Sequence, residues 1–257
     1  MQGSRFINNK SKQTVVMIPG GPGLGFASYL KLSETLSDFN SLLIDSPAKA
    51  PRNFDDYLST IKNELRNINE EIILLGHSYG GFVAAYLFAK EPEKYSGIVL
   101  INAPLSKMAF QSINEQYTKF APISAKKSGE DFYKKPSDIG LRDWMLQCGE
   151  LYFLKDKMND AKAMMTQDKI SANTFLAIRS ADSDAPHIVD QLKPIKKVKL
   201  TISGKDDLLV LPEIQKKQAI QMDFIYVTVT GSHFCHFEYP DEVASLIQRN
   251  FKPKEAP

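Results

Sequence analysis

The chain has 257 residues, a length that suits one large α/β domain, or one domain carrying a sizeable insertion, better than two independent units. Apolar residues make up 43% and charged residues 24%, ordinary globular values that exclude disorder, collagen and coiled coil. Lysine and arginine number 32 against 30 acidic residues, and a net charge of +2 supplies no field that argues for nucleic acid or an anionic membrane.

Taken in chain order, Met1 to Gln13 has no apolar run of signal-peptide length, and no stretch anywhere is apolar enough to span a bilayer. A soluble, cytoplasmic protein is expected. The first buried strand is Thr14–Ile18, stopped by Pro19 and glycines, with room for at most one strand before it. A helix over about Ala27–Ser37 and a strand over Ser41–Asp45 follow. Asp56–Asn67 places Tyr57, Leu58, Ile61 and Leu65 at helical spacing. The strand Glu71–Leu75 then runs into Gly76-His77-Ser78-Tyr79-Gly80-Gly81 and a helix over Phe82–Lys90. Gly97–Asn102 is the next strand.

This rhythm of continuous apolar strands and helices predicts an α/β fold with a mostly parallel sheet covered on both faces. It lapses from about Pro104 to Leu192, where the pattern is helical (Leu141–Phe153, Lys155–Ile170) and contains no buried strand. The run Lys193, Lys196, Lys197 and Lys199 reads as the solvated approach to a strand. Sheet periodicity resumes at Val198–Ser203 and Asp223–Val229, and a helix over Asp241–Phe251 closes the chain. The expected division is a core over 1–104 and 193–257, with a helical insertion over 105–192.

Gly76-x-Ser78-x-Gly80 lies between a strand and a helix, the context of a nucleophile elbow, where small residues must flank a serine on a sharp turn. A serine hydroxyl needs a base to take its proton, and the base needs an acid to fix its tautomer. Downstream, Val198–Ser203 delivers Gly204-Lys205-Asp206-Asp207, and Asp223–Val229 delivers Gly231-Ser232-His233. Both loops follow the carboxyl end of a strand, the edge where open α/β sheets bind ligands. Spacing from Gly204 favours Asp207 over Asp206. Of the four histidines, His233 is the candidate base, while His77, His187 and His236 read as structural or surface residues. Backbone donors for an oxyanion are expected from Tyr79 and from Gly21 in Pro19-Gly20-Gly21-Pro22-Gly23. A nucleotide-loop reading of that stretch fails on glycine spacing and on Pro22, which lacks an N–H. Cys148 and Cys235, the only cysteines, fit a reducing compartment and offer no pair at metal-ligand spacing.

With these residues in place the chain resembles the α/β-hydrolase superfamily with a helical cap, and within it the proline iminopeptidase-like branch. The resemblance rests on P-G-G-P-G at Pro19–Gly23, G-H-S-Y-G-G at Gly76–Gly81, G-K-D-D at Gly204–Asp207, and the stretch Gly231 to Pro240. It implies Ser78 as nucleophile, Asp207 as acid, His233 as base, the insertion as a cap over the site, and no cofactor or metal. The substrate expected is a small acyl compound, an ester or amide. Met108, Phe110, Phe120, Trp144, Met145, Leu151 and Phe153 of the cap are candidates for an apolar acyl pocket or for cap core. The family's opening histidine is Pro19 here, and its Trp-Glu pair is Trp144-Met145, with Asp143 and Glu150 as the nearby acids. An aminopeptidase and a non-catalytic ligand-binding protein are the alternatives. The sequence does not indicate an oligomeric state.

Overall fold

The computed structural model of the protein describes residues 3–179 and 188–251. Among them seven strands form one sheet: β1 (Arg5–Ile7), β2 (Gln13–Ile18), β3 (Asn40–Leu43), β4 (Glu71–His77), β5 (Tyr95–Ile101), β6 (Val198–Gly204) and β7 (Ile225–Val229). Their order is β1-β3-β2-β4-β5-β6-β7, and every pair is parallel except β1 with β3. The helices in chain order are α1 (Leu30–Thr35), α2 (Phe54–Leu65), α3 (Tyr79–Lys90), α4 (Lys107–Phe120), α5 (Ile123–Lys134), α6 (Asp138–Gln147), α7 (Gly149–Tyr152), α8 (Met158–Gln167), α9 (Ala172–Ile178), α10 (Ile188–Leu192), α11 (Pro212–Met222), α12 (Cys235–Glu238) and α13 (Pro240–Phe251).

The middles of β2, β4 and β5 are apolar because both of their faces are covered. Val16, Ile18 and Leu74 pack with α2, α3 and α11, while Val15, Met17, Ile73 and Leu75 pack with α1 and α13. The segment between β5 and β6 is helical, as its pattern predicts. Its α5, α6, α8 and α9 contribute to a separate cluster around Phe132, Leu141 and Phe175, which reaches the core through Leu24, Phe234 and Phe237. Ile178 and the α10 residues Ile188, Val189 and Leu192 pack instead with the sheet core.

Four local expectations are corrected. Leu141–Phe153 is two helices, α6 and α7, broken at Cys148 beside Gly149, where an added Cβ would lie 2.5 Å from Met158 Cε. Asp223 does not begin a strand; it is the left-handed C-cap of α11, at φ 61. No helix is foreseen at α11, because its buried face carries Gln215 and Gln218 beside Ile214, Ala219 and Met222 and so lacks an apolar stripe. Lys199 is not solvated: it is 4% exposed, and its ammonium donates to the carbonyls of Leu192 (3.1 Å), Lys193 (3.3 Å) and Met222 (2.8 Å). Periodicity could not show this, since a lysine stem packs like an apolar residue while its head finds helix-end carbonyls.

Candidate active site

β4 ends at His77 and α3 begins at Tyr79, so the chain turns from strand to helix at Ser78 alone. Ser78 holds φ 50 and ψ −123, a region that L residues avoid, and its amide donates to the Ile101 carbonyl at 2.8 Å. The flanking glycines are required by space. A Cβ on Gly76 would lie 2.2 Å from the Gly80 carbonyl oxygen, and one on Gly80 would lie 2.3 Å from the carbonyl oxygens of Ile18 and Pro19. The elbow is therefore packed directly against the end of β2.

Asp207 follows β6 and is 2% exposed, whereas its neighbour Asp206 is exposed, as the spacing from Gly204 predicts. One carboxylate oxygen of Asp207 accepts the amides of Leu209 (2.8 Å) and Val210 (3.1 Å). The other lies 3.0 Å from His233 Nδ1 in the loop after β7. A carboxylate accepts, so Nδ1 carries the hydrogen and Nε2 is left as the basic nitrogen. Ser78, Tyr79, Gly21 and His233 line one cavity of about 650 Å³. Among the described residues no hydrogen bond joins Ser78 Oγ to His233.

Gly21 takes φ 48, and Leu24 closes its turn by donating to the Gly21 carbonyl at 3.1 Å. Tyr79 is the first residue of α3, where helical amides point out of the helix end. Beyond Gly21 the loop is tied to the helical insert. The Gly25 and Ala27 amides donate to the two oxygens of Asp168 (3.1 Å each), the Ser171 amide donates to the Gly23 carbonyl (2.8 Å), and Leu24 bridges Ile170. Burial pushes the Asp168 carboxyl up to about 6 against these two bonds. A lone aspartate after a helix carries no sequence signal of this role.

The cavity is mostly apolar. Phe110, Trp144 and Met145 line it, as the acyl-pocket reading expects, but Met108 and Phe120 are exposed, and Leu151 and Phe153 are buried in packing clusters. Asp143 and Glu150 are exposed and do not line it; the acid that does is Glu130. His77 and His236 are fully buried, and His187 lies outside the described residues. His77 Nε2 lies 2.8 Å from the His233 carbonyl, and His236 Nε2 lies 3.2 Å from Ser28 Oγ. Burial first, then the neighbouring histidines, depresses both pKa values, that of His236 to about 3. Among the described residues no group of three His, Cys, Asp or Glu side chains is arranged to hold a metal, and no helix is long and apolar enough to cross a membrane.

Residues 15–246 match the family described as Alpha/beta hydrolase family. A curated relative, human "Serine hydrolase-like protein 2", is 23% identical over 220 residues, covering 74% of this chain and 70% of its own. Among solved structures, an enol-lactonase from Burkholderia xenovorans LB400 is similar with TM-score 0.74 at 17% identity, over 97% of this chain and 96% of its own. A thermophilic esterase from Thermogutta terrifontis is similar with TM-score 0.72 at 17% identity, over 96% of this chain and 91% of its own. At these identities the likeness is one of fold.

Proposed function

The chain belongs to the alpha/beta hydrolase family, and on that premise we propose that it is a serine hydrolase cleaving a small ester or amide through an acyl-enzyme. The observation that carries this reading is the buried Asp207–His233 pair, 3.0 Å apart, whose His233 lines the same cavity as Ser78. In the proposed mechanism Ser78 Oγ attacks the substrate carbonyl as His233 Nε2 takes its proton, and Asp207 stabilises the imidazolium. The amides of Gly21 and Tyr79 receive the oxyanion. His233 then returns the proton to the leaving group; a water attacks the acyl carbon as the same nitrogen takes its proton, and that proton passes to Ser78 Oγ as the acid leaves.

The apolar wall favours an acyl group with apolar bulk, and the helices between β5 and β6 act as the cap that encloses it. The aminopeptidase alternative cannot draw on Asp143 or Glu150, which do not line the cavity; Glu130, which does, is the acid it would need for a free amine. Cys148 and Cys235 are buried free thiols, which supports a reducing, cytoplasmic setting.

The test is hydrolysis of p-nitrophenyl butyrate beside a proline β-naphthylamide. Ester turnover should fall by about 10³-fold or more in Ser78→Ala. Equal ester rates in wild type and variant would end the serine reading. Cleavage of the amide only when its amine is free would favour the aminopeptidase. A folded wild type that binds ligand and turns over neither substrate would favour the non-catalytic binder.

A further inference from the structure

Strands β4, β5 and β6 end beneath the site, and the side chain after β5 touches the loops that follow β6 and β7. Asn102 is fully buried, and its backbone is left-handed at φ 48. Its Oδ1 accepts from the Gly204 amide at 2.9 Å and from Gln215 Nε2 at 3.0 Å. Its Nδ2 donates to the carbonyls of Ser232 at 3.0 Å and His233 at 2.7 Å. These partners fix the orientation of the amide, because a flip would set oxygen against two carbonyls and nitrogen against two donors.

The same contacts lead to both titratable members of the site. The His233 carbonyl receives Asn102 Nδ2 and, at 2.8 Å, His77 Nε2, which fills its two lone pairs and pins the backbone that carries the imidazole. Gln215 Nε2 also donates to the Val210 carbonyl at 2.8 Å, and the Val210 amide donates to Asp207 at 3.1 Å. Gly204, the start of the turn that carries Asp207, cannot drift from Asn102 on one side or from Ser232 on the other. A Cβ there would lie 2.2 Å from the Ser232 carbonyl oxygen.

We propose that Asn102 is a positioning residue for the reaction: its amide holds the Asp207 turn and the His233 backbone at a fixed separation, so that Nδ1 stays on the carboxylate and Nε2 stays at the cavity. This inference rests on the serine-hydrolase reading. Filling a core would need only that the neighbours of Asn102 be satisfied. Here its partners lie in, or bond directly to, the two loops that carry acid and base, and a misplacement of about 1 Å in such a pair costs about 10²-fold in rate.

Two variants test it with p-nitrophenyl butyrate, normalised per active site by titration with a p-nitrophenyl phosphonate. Asn102→Asp keeps size and the accepting oxygen but replaces the donor, and Asn102→Gly removes the side chain while tolerating the positive φ. In each variant kcat should fall about tenfold or more with KM within about twofold, since the acyl pocket is untouched. In Asn102→Gly the acid limb of the kcat/KM profile should also move to lower pH, because an imidazolium no longer held on Asp207 is less stabilised. A variant with a native near-UV spectrum that keeps the wild-type kcat and pH profile, or loses only thermal stability, overturns the inference while leaving the serine reading intact. A wild type without Ser78-dependent turnover overturns both.

Discussion

Ser78 stands where an L residue is strained, and the strain has a measurable sign. Holding φ 50 and ψ −123 costs about 1–3 kcal/mol that glycine does not pay. Ser78→Gly should therefore be more stable than Ser78→Ala by about 1–2 kcal/mol in urea unfolding, though both lack the hydroxyl. Equal stabilities would mean that the turn is relaxed. Ser78, Asp207 and His233 were legible in the sequence because each is announced by its neighbours: glycines that backbone packing demands, or a polar loop straight after an apolar strand. Asn102 and Asp168 were not. Their roles depend on residues more than a hundred positions away in sequence, and no local period encodes such a partner.

Elements that bury an apolar stripe were readable in the same way, and those that bury polar groups were not. β2, β4 and β5 carry unbroken apolar stretches at 15–18, 72–75 and 98–101, and α2 shows its face through Tyr57, Leu58, Ile61 and Leu65. α11 hides because Gln215 and Gln218 spend their buried amides on Asn102, Ser203, Val210, Leu105 and Ala103. Lys199 is the strand counterpart, a cation inside β6 that joins the carboxyl ends of α10 and α11. Replacing it by methionine keeps the stem and leaves three carbonyls without their donor, a loss of about 2–3 kcal/mol. The midpoint of urea unfolding should drop with its slope unchanged; a midpoint like that of the wild type would show that water replaces the ammonium.

Over the whole molecule, buried ionisable groups make stability depend on pH with opposing signs. His77 and His236 are neutral in the folded protein, yet they take protons near pH 6.5 once unfolded. Each therefore removes about 1.4 kcal/mol of stability per pH unit as pH falls below 6.5 toward its folded value. Asp168 runs the other way. Its folded pKa of about 6 lies above the ordinary 3.8, so between these values the folded state keeps a proton that the unfolded chain has lost, and acid favours folding. Asp45, whose buried carboxyl is also pushed up, acts in the same direction as Asp168, so two histidines and two carboxyls pull stability opposite ways in acid. Asp168→Asn removes one of the opposing contributions, so between about pH 6 and 4 its stability should fall with acid more steeply than that of the wild type, by about 1.4 kcal/mol per unit in urea titrations. An unchanged slope in the variant would contradict the assignment to Asp168.

The parallel pairing of β5 with β6, in which Gly97 meets Val198, has a consequence for how the chain is made. As synthesis passes β5, its growing edge is a row of open amides and carbonyls flanked by Ile98, Val99, Leu100 and Ile101, with the whole helical insert still to come before the strand that covers it. A ribosome paused inside that insert holds a nascent half-sheet with an apolar edge, the form most prone to pair with a neighbouring chain. Completion of β6 closes this edge and brings in the Asp207 turn, and β6 itself then stays open until β7 pairs with it and delivers His233.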